Sequence, residues 1–214
     1  MSPVALWRGS ADPDAPVVVL LHGRGANEQE IIGLADVLPN GCTYVAPRGP
    51  VALPTGGYTW FENRGTGRPV AASLRATLDW FWEWADAEIG ADRPVIVLGF
   101  SGGAAMAGAL ALDRPERVSA LAVLYGTMPF DAGLDTGIDR LAGLEVFHAQ
   151  ATEDAVIPHD LLERTWRYLS ADAGATAVTH RHPGDHAIAP PVVASLSRWL
   201  TRQQRATKRA SDPA

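Results

Sequence analysis

Short apolar runs recur along the chain, and they lack the alternation of polar and apolar residues that a strand with one exposed face would have. A strand covered on both faces needs a continuous apolar run, so each run predicts a buried strand of a parallel sheet. The strongest runs are residues 17–21, 95–98, 120–124 and 146–147. Weaker strand patterns lie at residues 4–7, 43–46 and 176–180.

Helical patterns fill the stretches between these runs. Asn27 and Glu30 have the spacing of a capping box, and Pro39 ends the apolar repeat that follows them. Further apolar repeats at helical spacing cover residues 74–89, 106–110, 161–169 and 190–200. Strands that alternate with helices predict an α/β fold, with helices on both faces of a mostly parallel sheet. In such a sheet, ligands bind beyond the carboxyl ends of the strands.

The composition suits one compact domain. The chain has 214 residues, of which 47% are hydrophobic and 20% are charged. We expect a single domain over residues 1–204 and a polar C-terminal tail over residues 205–214. Residues 47–69 form the one long irregular segment, rich in glycine and proline, and a loop of that length in a compact domain is usually functional.

Charge and cysteine content narrow the partners and the compartment. The chain has 18 basic and 24 acidic residues, a formal charge of −6, which disfavours nucleic acid or an anionic membrane surface as partner. No apolar run approaches the length of a membrane span, and the N-terminus lacks a signal-peptide pattern, so we expect neither membrane insertion nor export. The single cysteine, Cys42, cannot form an intramolecular disulfide, and we expect a cytoplasmic protein.

The strongest chemical motif is Gly99-Phe100-Ser101-Gly102-Gly103. It follows a predicted strand and precedes a helix of small residues, which is the context that a G-x-S-x-G nucleophile elbow requires. The turn is tight, so the positions around the serine must be small, and Gly99 and Gly103 meet that need. Ser101 is therefore the candidate nucleophile, at the N-terminus of a helix whose dipole favours negative charge.

A serine hydroxyl is a weak nucleophile until a base takes its proton, and elbow-type hydrolases carry the acid and then the histidine after the serine. Asp154 follows the apolar run at 146–147 and is favoured over its neighbour Glu153 as the acid that orients the histidine. His186 lies between the last strand pattern and the last helix, and it is favoured over His182 as the base.

The segment His180-Arg181-His182-Pro183-Gly184-Asp185-His186 also resembles a zinc-binding cluster. Its spacing is one residue longer than the H-x-H-x-D-H pattern of binuclear zinc hydrolases, and the sequence contains no second histidine cluster. We therefore expect no metal and no other cofactor.

The loop Leu21-His22-Gly23-Arg24-Gly25 follows the first strong strand pattern. Acyl transfer develops negative charge on the former carbonyl oxygen, and backbone N–H groups aimed at that oxygen stabilise it. In an elbow-type fold one donor follows the nucleophile and the other comes from this loop. The backbone N–H groups of Arg24 and Gly102 are therefore the expected oxyanion hole.

Together these motifs resemble the carboxylesterase/phospholipase branch of the α/β-hydrolases, the group that includes acyl-protein thioesterases and small bacterial serine esterases. The resemblance covers about residues 16–200. Its matching segments are residues 21–25, 47–50, 57–62, 99–103, 115–118 and 154–158, together with His186. Relatives usually have glutamine after the serine, whereas Gly102 stands there in this chain and keeps only the backbone N–H.

The resemblance implies an α/β-hydrolase fold and a catalytic triad of Ser101, Asp154 and His186. It also implies that Trp60 and Phe61, in the substrate-side loop, line the acyl pocket, with ordinary hydrophobic anchoring as the alternative. Only residues 126–144 connect two strands at the place where many relatives insert a cap domain. We therefore expect no cap domain and an open groove.

The expected activity is hydrolysis of small or acyl carboxylic esters through an acyl-enzyme, with a small-molecule ester as the partner. A lactonase similar to dienelactone hydrolases, or an acyl thioesterase, would use the same residues. An inactive binding module on the same fold is the alternative outside enzymes. The acyl length, the alcohol and the choice between a monomer and a homodimer stay open at this stage.

Overall fold

The computed structural model describes residues 4–211. The described strands are β1 (Ala5–Gly9), β2 (Val17–Leu21), β3 (Thr43–Pro47), β4 (Val51–Ala52), β5 (Tyr58–Thr59), β6 (Val95–Phe100), β7 (Val118–Leu124), β8 (Glu145–Ala151) and β9 (Thr176–His182). The α-helices are α1 (Glu28–Ile31), α2 (Ala71–Glu88), α3 (Gly102–Asp113), α4 (His159–Arg167) and α5 (Pro190–Ser211). A 3-10 segment extends α1 over Ile32–Val37, and α4 continues as a π-helix over Tyr168–Asp172.

Seven strands form one sheet in the order β1-β3-β2-β6-β7-β8-β9. All neighbours are parallel except β1, which pairs with β3 in the antiparallel sense. The strand order reverses direction at β2 and β6, so the carboxyl ends of these central strands meet at one edge. The mostly parallel sheet predicted from the sequence is confirmed.

Two hydrophobic cores lie on opposite faces of this sheet. Val17, Val19 and Leu21 of β2 belong to the core that α2, α3 and α4 cover. Val18 and Leu20 belong to the other core, which α1 and α5 cover. Because successive side chains of a strand point to opposite faces, β2 must be apolar throughout, as its sequence is.

The segment 47–69 is more ordered than its sequence predicts. It contains a small antiparallel hairpin of β4 and β5, in which Val51 is opposite Thr59. The turn between these strands includes Gly56 and Gly57, whose φ angles of 92° and 71° favour glycine. Strands of two residues are too short to leave an apolar run, which explains why the sequence pattern did not reveal them.

The C-terminal region also differs from the prediction. The expected boundary at residue 204 falls inside α5, which continues to Ser211. Residues 201–211 are rich in arginine, glutamine and alanine, which are good helix formers, so the polar composition indicated a tail where a helix continues. Residues 212–214 of the predicted tail lie outside the described residues.

The connection between β7 and β8 contains turns but no helix or strand over residues 125–144. Within the described chain, no cap domain is therefore inserted there. No helix among residues 4–211 has both the length and the apolarity needed to cross a membrane.

Candidate active site

Ser101 occupies a strained turn between β6 and α3. Its backbone angles are φ 56° and ψ −117°, a region that costs a residue with a side chain about 1–3 kcal/mol. The flanking glycines are required by close packing, because a Cβ on Gly99 would lie 2.0 Å from the carbonyl oxygen of Gly103. A Cβ on Gly103 would lie 2.1 Å from the carbonyl oxygen of Leu21. The turn can therefore form only with glycine at both positions.

Hydrogen bonds connect Ser101 to His186 and His186 to Asp154. His186 Nε2 is 2.8 Å from Ser101 Oγ, and His186 Nδ1 is 2.7 Å from Asp154 Oδ2. A carboxylate only accepts, so the Nδ1–H group donates to Asp154 and leaves the Nε2 lone pair to accept from the serine hydroxyl. The backbone N–H groups of Val156 and Ile157 donate to Asp154 Oδ1 at 2.9 and 3.0 Å, and the carboxylate is completely buried. The acid is thus fixed before any substrate binds.

The rival residues lie elsewhere. The side chain of Glu153 is exposed, and its backbone N–H donates to the carbonyl of Gly184 at 3.1 Å. The ring nitrogens of His182 lie 2.6 Å from the hydroxyl of Tyr125 and 2.6 Å from the carbonyl of Pro183. The structure therefore brings His186 and Asp154 to Ser101, and not Glu153 or His182. Among the described residues, no three metal-ligating side chains are grouped closely enough to hold an ion.

The two predicted oxyanion donors come from adjacent backbone segments. A Cβ built on Gly102 would lie 3.3 Å from the backbone nitrogen of Arg24, so the two segments run side by side next to Ser101. Neither N–H group donates to an acceptor within the described chain. For Gly102 this follows from its position as the first residue of α3, where N–H groups have no partner inside the helix. Both donors are thus free to bind a ligand oxygen.

His22 holds the loop that contains Arg24. Its ring is fully buried; Nδ1–H donates to the carbonyl of Gly23 at 2.8 Å, and Nε2 accepts from the backbone N–H of Gly49 at 3.0 Å. Burial lowers the pKa of His22, because removal of water disfavours the charged ring. The neutral imidazole therefore connects two loops, a role that sequence reasoning did not assign to it.

The hairpin adds further support to this loop. The N–H of Gly25 donates to the carbonyl of Tyr58 at 2.8 Å, and the N–H of Tyr58 donates to the carbonyl of Ala26 at 3.0 Å. A Cβ on Gly57 would lie 1.9 Å from the carbonyl oxygen of Gly25. The hairpin and the Arg24 loop are thus in direct backbone contact.

The two aromatic residues predicted to line the pocket have different positions. Phe61 lines the cleft at Ser101. Trp60 does not: it is fully buried, and its indole N–H donates to the carbonyl of His22 at 2.8 Å. The prediction for Trp60 is therefore wrong, because its indole packs under the Arg24 loop, where it is hydrogen-bonded to His22, and does not reach the cleft. Trp60 supports the Arg24 loop from behind.

The cleft that opens over Ser101 and His186 has a volume of about 930 Å³. Its apolar lining comes from the Arg24 loop, α1, the hairpin region, the elbow with the start of α3, and the loop after Asp154, and it consists of Ala26, Ile31, Val51, Leu53, Phe61, Phe100, Ala105, Val156 and Ile157. Sequence reasoning missed most of these residues, although Val156 and Ile157 stand beside the predicted acid. An apolar cleft with a few converging polar groups suits an organic ligand.

An ion pair lies beside the cleft. Arg48 donates to both carboxylate oxygens of Glu28, at 2.8 and 2.5 Å, and the Glu28 side chain is only 2% exposed. The Arg48 guanidinium lowers the pKa of Glu28, chiefly through these hydrogen bonds. The pair joins α1 to the loop after β3, next to the hairpin. Nothing in the sequence pattern singled out Glu28.

The chain is similar to known proteins in both sequence and fold. The sequence profile of the Phospholipase/Carboxylesterase family matches residues 8–203. MhqD of Bacillus subtilis strain 168, which is named as a hydrolase, is 26% identical over 187 residues, covering 86% of this chain and 91% of that protein. The Bacillus cereus carboxylesterase superposes with a TM-score of 0.82 at 22% identity, over 94% of each chain. SOBER1 of Arabidopsis thaliana gives a TM-score of 0.71 at 20% identity, over 88% of this chain and 98% of that one. The fold predicted from the sequence is thereby confirmed over nearly the whole chain.

Proposed function

Because the chain belongs to the phospholipase/carboxylesterase family of α/β-hydrolases, we propose that it is a serine esterase that forms an acyl-enzyme. One observation carries this proposal: the two hydrogen bonds of 2.8 and 2.7 Å that join Ser101, His186 and Asp154. In that order the groups can pass one proton from the serine to the imidazole while the carboxylate stabilises the resulting charge.

In the first step the Ser101 oxygen attacks the ester carbonyl, and its proton moves to His186 Nε2. Asp154 holds the imidazole in the required tautomer and stabilises the imidazolium. The N–H groups of Arg24 and Gly102 donate to the oxyanion, and each such donor is worth about 10²- to 10³-fold in rate.

The tetrahedral intermediate then collapses. The bond to the alcohol oxygen breaks, and the alcohol leaves with the proton from His186. A water molecule next gives a proton to His186 and attacks the acyl carbonyl; the bond to Ser101 then breaks, the serine oxygen takes that proton back from His186, and the carboxylic acid leaves. The reaction needs no cofactor in this scheme.

The lining of the cleft supports a substrate class. Nine apolar side chains line the cleft at Ser101, so an uncharged acyl group of small or moderate size fits this surface better than a charged one. We therefore propose a small-molecule carboxylic ester as substrate.

The lone cysteine, Cys42, is buried and free, in keeping with a proposed location in the reducing cytoplasm.

A fluorophosphonate probe and p-nitrophenyl esters of graded acyl length test the proposal. Ser101→Ala should abolish covalent labelling and lower turnover by about 10⁶-fold. Ser170→Ala is a matched control, because the Ser170 hydroxyl is exposed on the π-helix after α4 and donates to a backbone carbonyl. Labelling and hydrolysis by Ser101→Ala at the level of the parent protein would overturn the assignment.

The same assay separates the alternatives. Thioester and lactone substrates offered beside the esters would identify a thioesterase or a lactonase as the better description, if kcat/KM for either class exceeds that for esters. Ligand binding without turnover, unchanged by Ser101→Ala, would instead identify a binding module and contradict the proposal.

A further inference from the structure

The side chain of Tyr125 forms hydrogen bonds at both ends of the loop that carries His186. Residues 183–189 connect β9 to α5, and the hydroxyl of Tyr125 contacts the residue before that connection and the last residue within it. It lies 2.6 Å from His182 Nε2, at the end of β9, and 3.2 Å from the backbone nitrogen of Ala189, next to α5. The tyrosine thus spans the base of the loop.

The donor and the acceptor of each hydrogen bond around Tyr125 can be assigned from the partners. His182 Nδ1 lies 2.6 Å from the carbonyl of Pro183, which can only accept, so Nδ1 carries the proton. In the neutral ring Nε2 must then accept, and the tyrosine O–H donates to it. The hydroxyl oxygen in turn accepts from the N–H of Ala189. Burial raises the pKa of Tyr125, so the hydroxyl keeps the proton that it donates.

The backbone around Tyr125 connects the other two parts of the site. The carbonyl of Leu124 accepts from the N–H of Ser101 at 2.9 Å, and the N–H of Tyr125 donates to the carbonyl of Ala149 in β8 at 2.8 Å. Asp154 follows β8 along the chain. The adjacent residues Leu124 and Tyr125 therefore contact the elbow, the strand before the acid and the loop of the histidine.

Tyr125 adopts this position at a conformational cost. Its φ of 49° lies in the left-handed region, where glycine is the favoured residue. A strained, fully buried tyrosine persists where its side chain is needed. The centroid of its ring lies 6.1 Å from that of Phe100, and the centroid of the Phe100 ring lies 5.2 Å from that of His186. Packing therefore supports the histidine as well.

We propose that Tyr125 is a positioning residue: its hydroxyl closes the loop 183–189 so that the His186 imidazole stays between Ser101 and Asp154. This inference rests on the proposed function, because it assigns His186 as the base. Tyr125 does not line the cleft, so its effect should reach the reaction only through His186. Loss of the hydroxyl should therefore change kcat and leave KM for the ester unchanged.

Tyr125→Phe removes the hydroxyl and keeps the ring. Because small misplacements of a catalytic group cost up to about 10²-fold, kcat should fall by about 10- to 100-fold at unchanged KM. Tyr44→Phe is the matched control: Tyr44 is also buried, and its hydroxyl donates to the carbonyl of Pro39 at 2.8 Å, away from the cleft. Tyr44→Phe should lower the melting temperature in the same way and keep the parent kcat. A Tyr125→Phe protein with a kcat within about twofold of the parent would overturn the proposal.

If Tyr125→Phe fails to fold, variants of His182 test the positioning role of the Tyr125 hydroxyl. His182→Gln retains an oxygen that can accept from the tyrosine and should keep most of the kcat, whereas His182→Phe lacks an acceptor and should lose about 10-fold or more. Parent-like kcat in His182→Phe would refute the positioning role of the Tyr125 hydroxyl. Failure of the proposed function itself looks different, since Ser101→Ala would then remain active whatever residue stands at 125.

Discussion

Acid should destabilise the fold through His148, a histidine of β8 that is completely buried. Its Nδ1–H donates to the carbonyl of Val123 at 3.1 Å, and its Nε2 accepts from the amide of Gln150 at 3.2 Å, so the neutral ring is fully hydrogen-bonded. Burial lowers the pKa of His148 from 6.5 to about 4, because the charged ring would lose its hydration. A second proton, on Nε2, would also point at the amide N–H of Gln150, which is a donor and cannot accept it.

The size of the effect follows from the two pKa values. Below pH 6.5 the unfolded chain binds a proton at this histidine, whereas the folded chain does not bind one until about pH 4. The free energy of unfolding therefore decreases as the pH falls through this window, and it does not depend on His148 above the window. At about 1.4 kcal/mol for each pKa unit, His148 alone should remove about 2 kcal/mol between pH 7 and pH 5.

Urea unfolding followed by tryptophan fluorescence measures this loss. His148→Asn keeps an amide donor for the carbonyl of Val123 but has no titrating group, so its free energy of unfolding should lose about 2 kcal/mol less than that of the parent between pH 7 and pH 5. Burial also lowers the pKa of His22 and of His180, so the total loss of the parent should be larger, and the difference between the proteins isolates His148.

His159→Asn is the matched control, because the side chain of His159 is 81% exposed and meets the same solvent in the folded and unfolded chain. It should follow the parent curve. Equal losses in the parent and in His148→Asn would refute the reasoning.

Three further predictions concern the site. Gly103→Ala should prevent folding at ordinary temperature, because its Cβ would lie 2.1 Å from the carbonyl oxygen of Leu21; circular dichroism and solubility measure this. Trp60→Phe should cost about 1 kcal/mol of unfolding free energy and lower kcat, since the carbonyl of His22 loses its indole donor; melting and ester kinetics test both. Asp154→Asn should lower kcat by about 10⁴-fold with little change in melting temperature, because the amide favours the wrong imidazole tautomer.

Each of these predictions has a control in the chain. Gly33→Ala should fold normally, because a Cβ at Gly33 would meet nothing within 4 Å. Trp199→Phe should not lower kcat, because the indole nitrogen of Trp199 has no partner in the described structure and lies away from the Arg24 loop. Glu153→Gln should keep the parent kcat. A reversal within any of these pairs would contradict the assignment that the pair tests.

The sheet and the nucleophile elbow could be predicted because their determinants are local in the sequence. A continuous apolar run such as residues 17–21 reports burial on both faces, and the glycines around Ser101 report a tight turn. The order of Ser101, Asp154 and His186 then follows the order of the strands. These features need no knowledge of contacts between distant residues.

The supporting contacts could not be predicted, because they join residues far apart in the chain. The hydrogen bond from Trp60 to His22 and the hydrogen bond between Tyr125 and His182 connect distant segments. No pattern within either segment indicates which other segment it contacts. Whether Trp60 or Phe61 faces the cleft depends on the exact register of the segment after the hairpin. The polar composition after residue 200 is compatible with a helix as well as with a tail, and α5 continues there.

The position of β9 in the sheet has a consequence for how activity is lost. β9 pairs only with β8 at the edge, and it has no fully buried residue, whereas β8 is buried from its second residue onward. Partial opening costs least where few apolar contacts break. Detachment of this edge would carry His186 away while β2, β6 and β7 remain paired around Ser101. We expect inactivation at lower urea concentrations than the loss of circular dichroism, and faster hydrogen exchange in β9 than in β6. Loss of activity would then report the fraying of one edge well before the domain denatures.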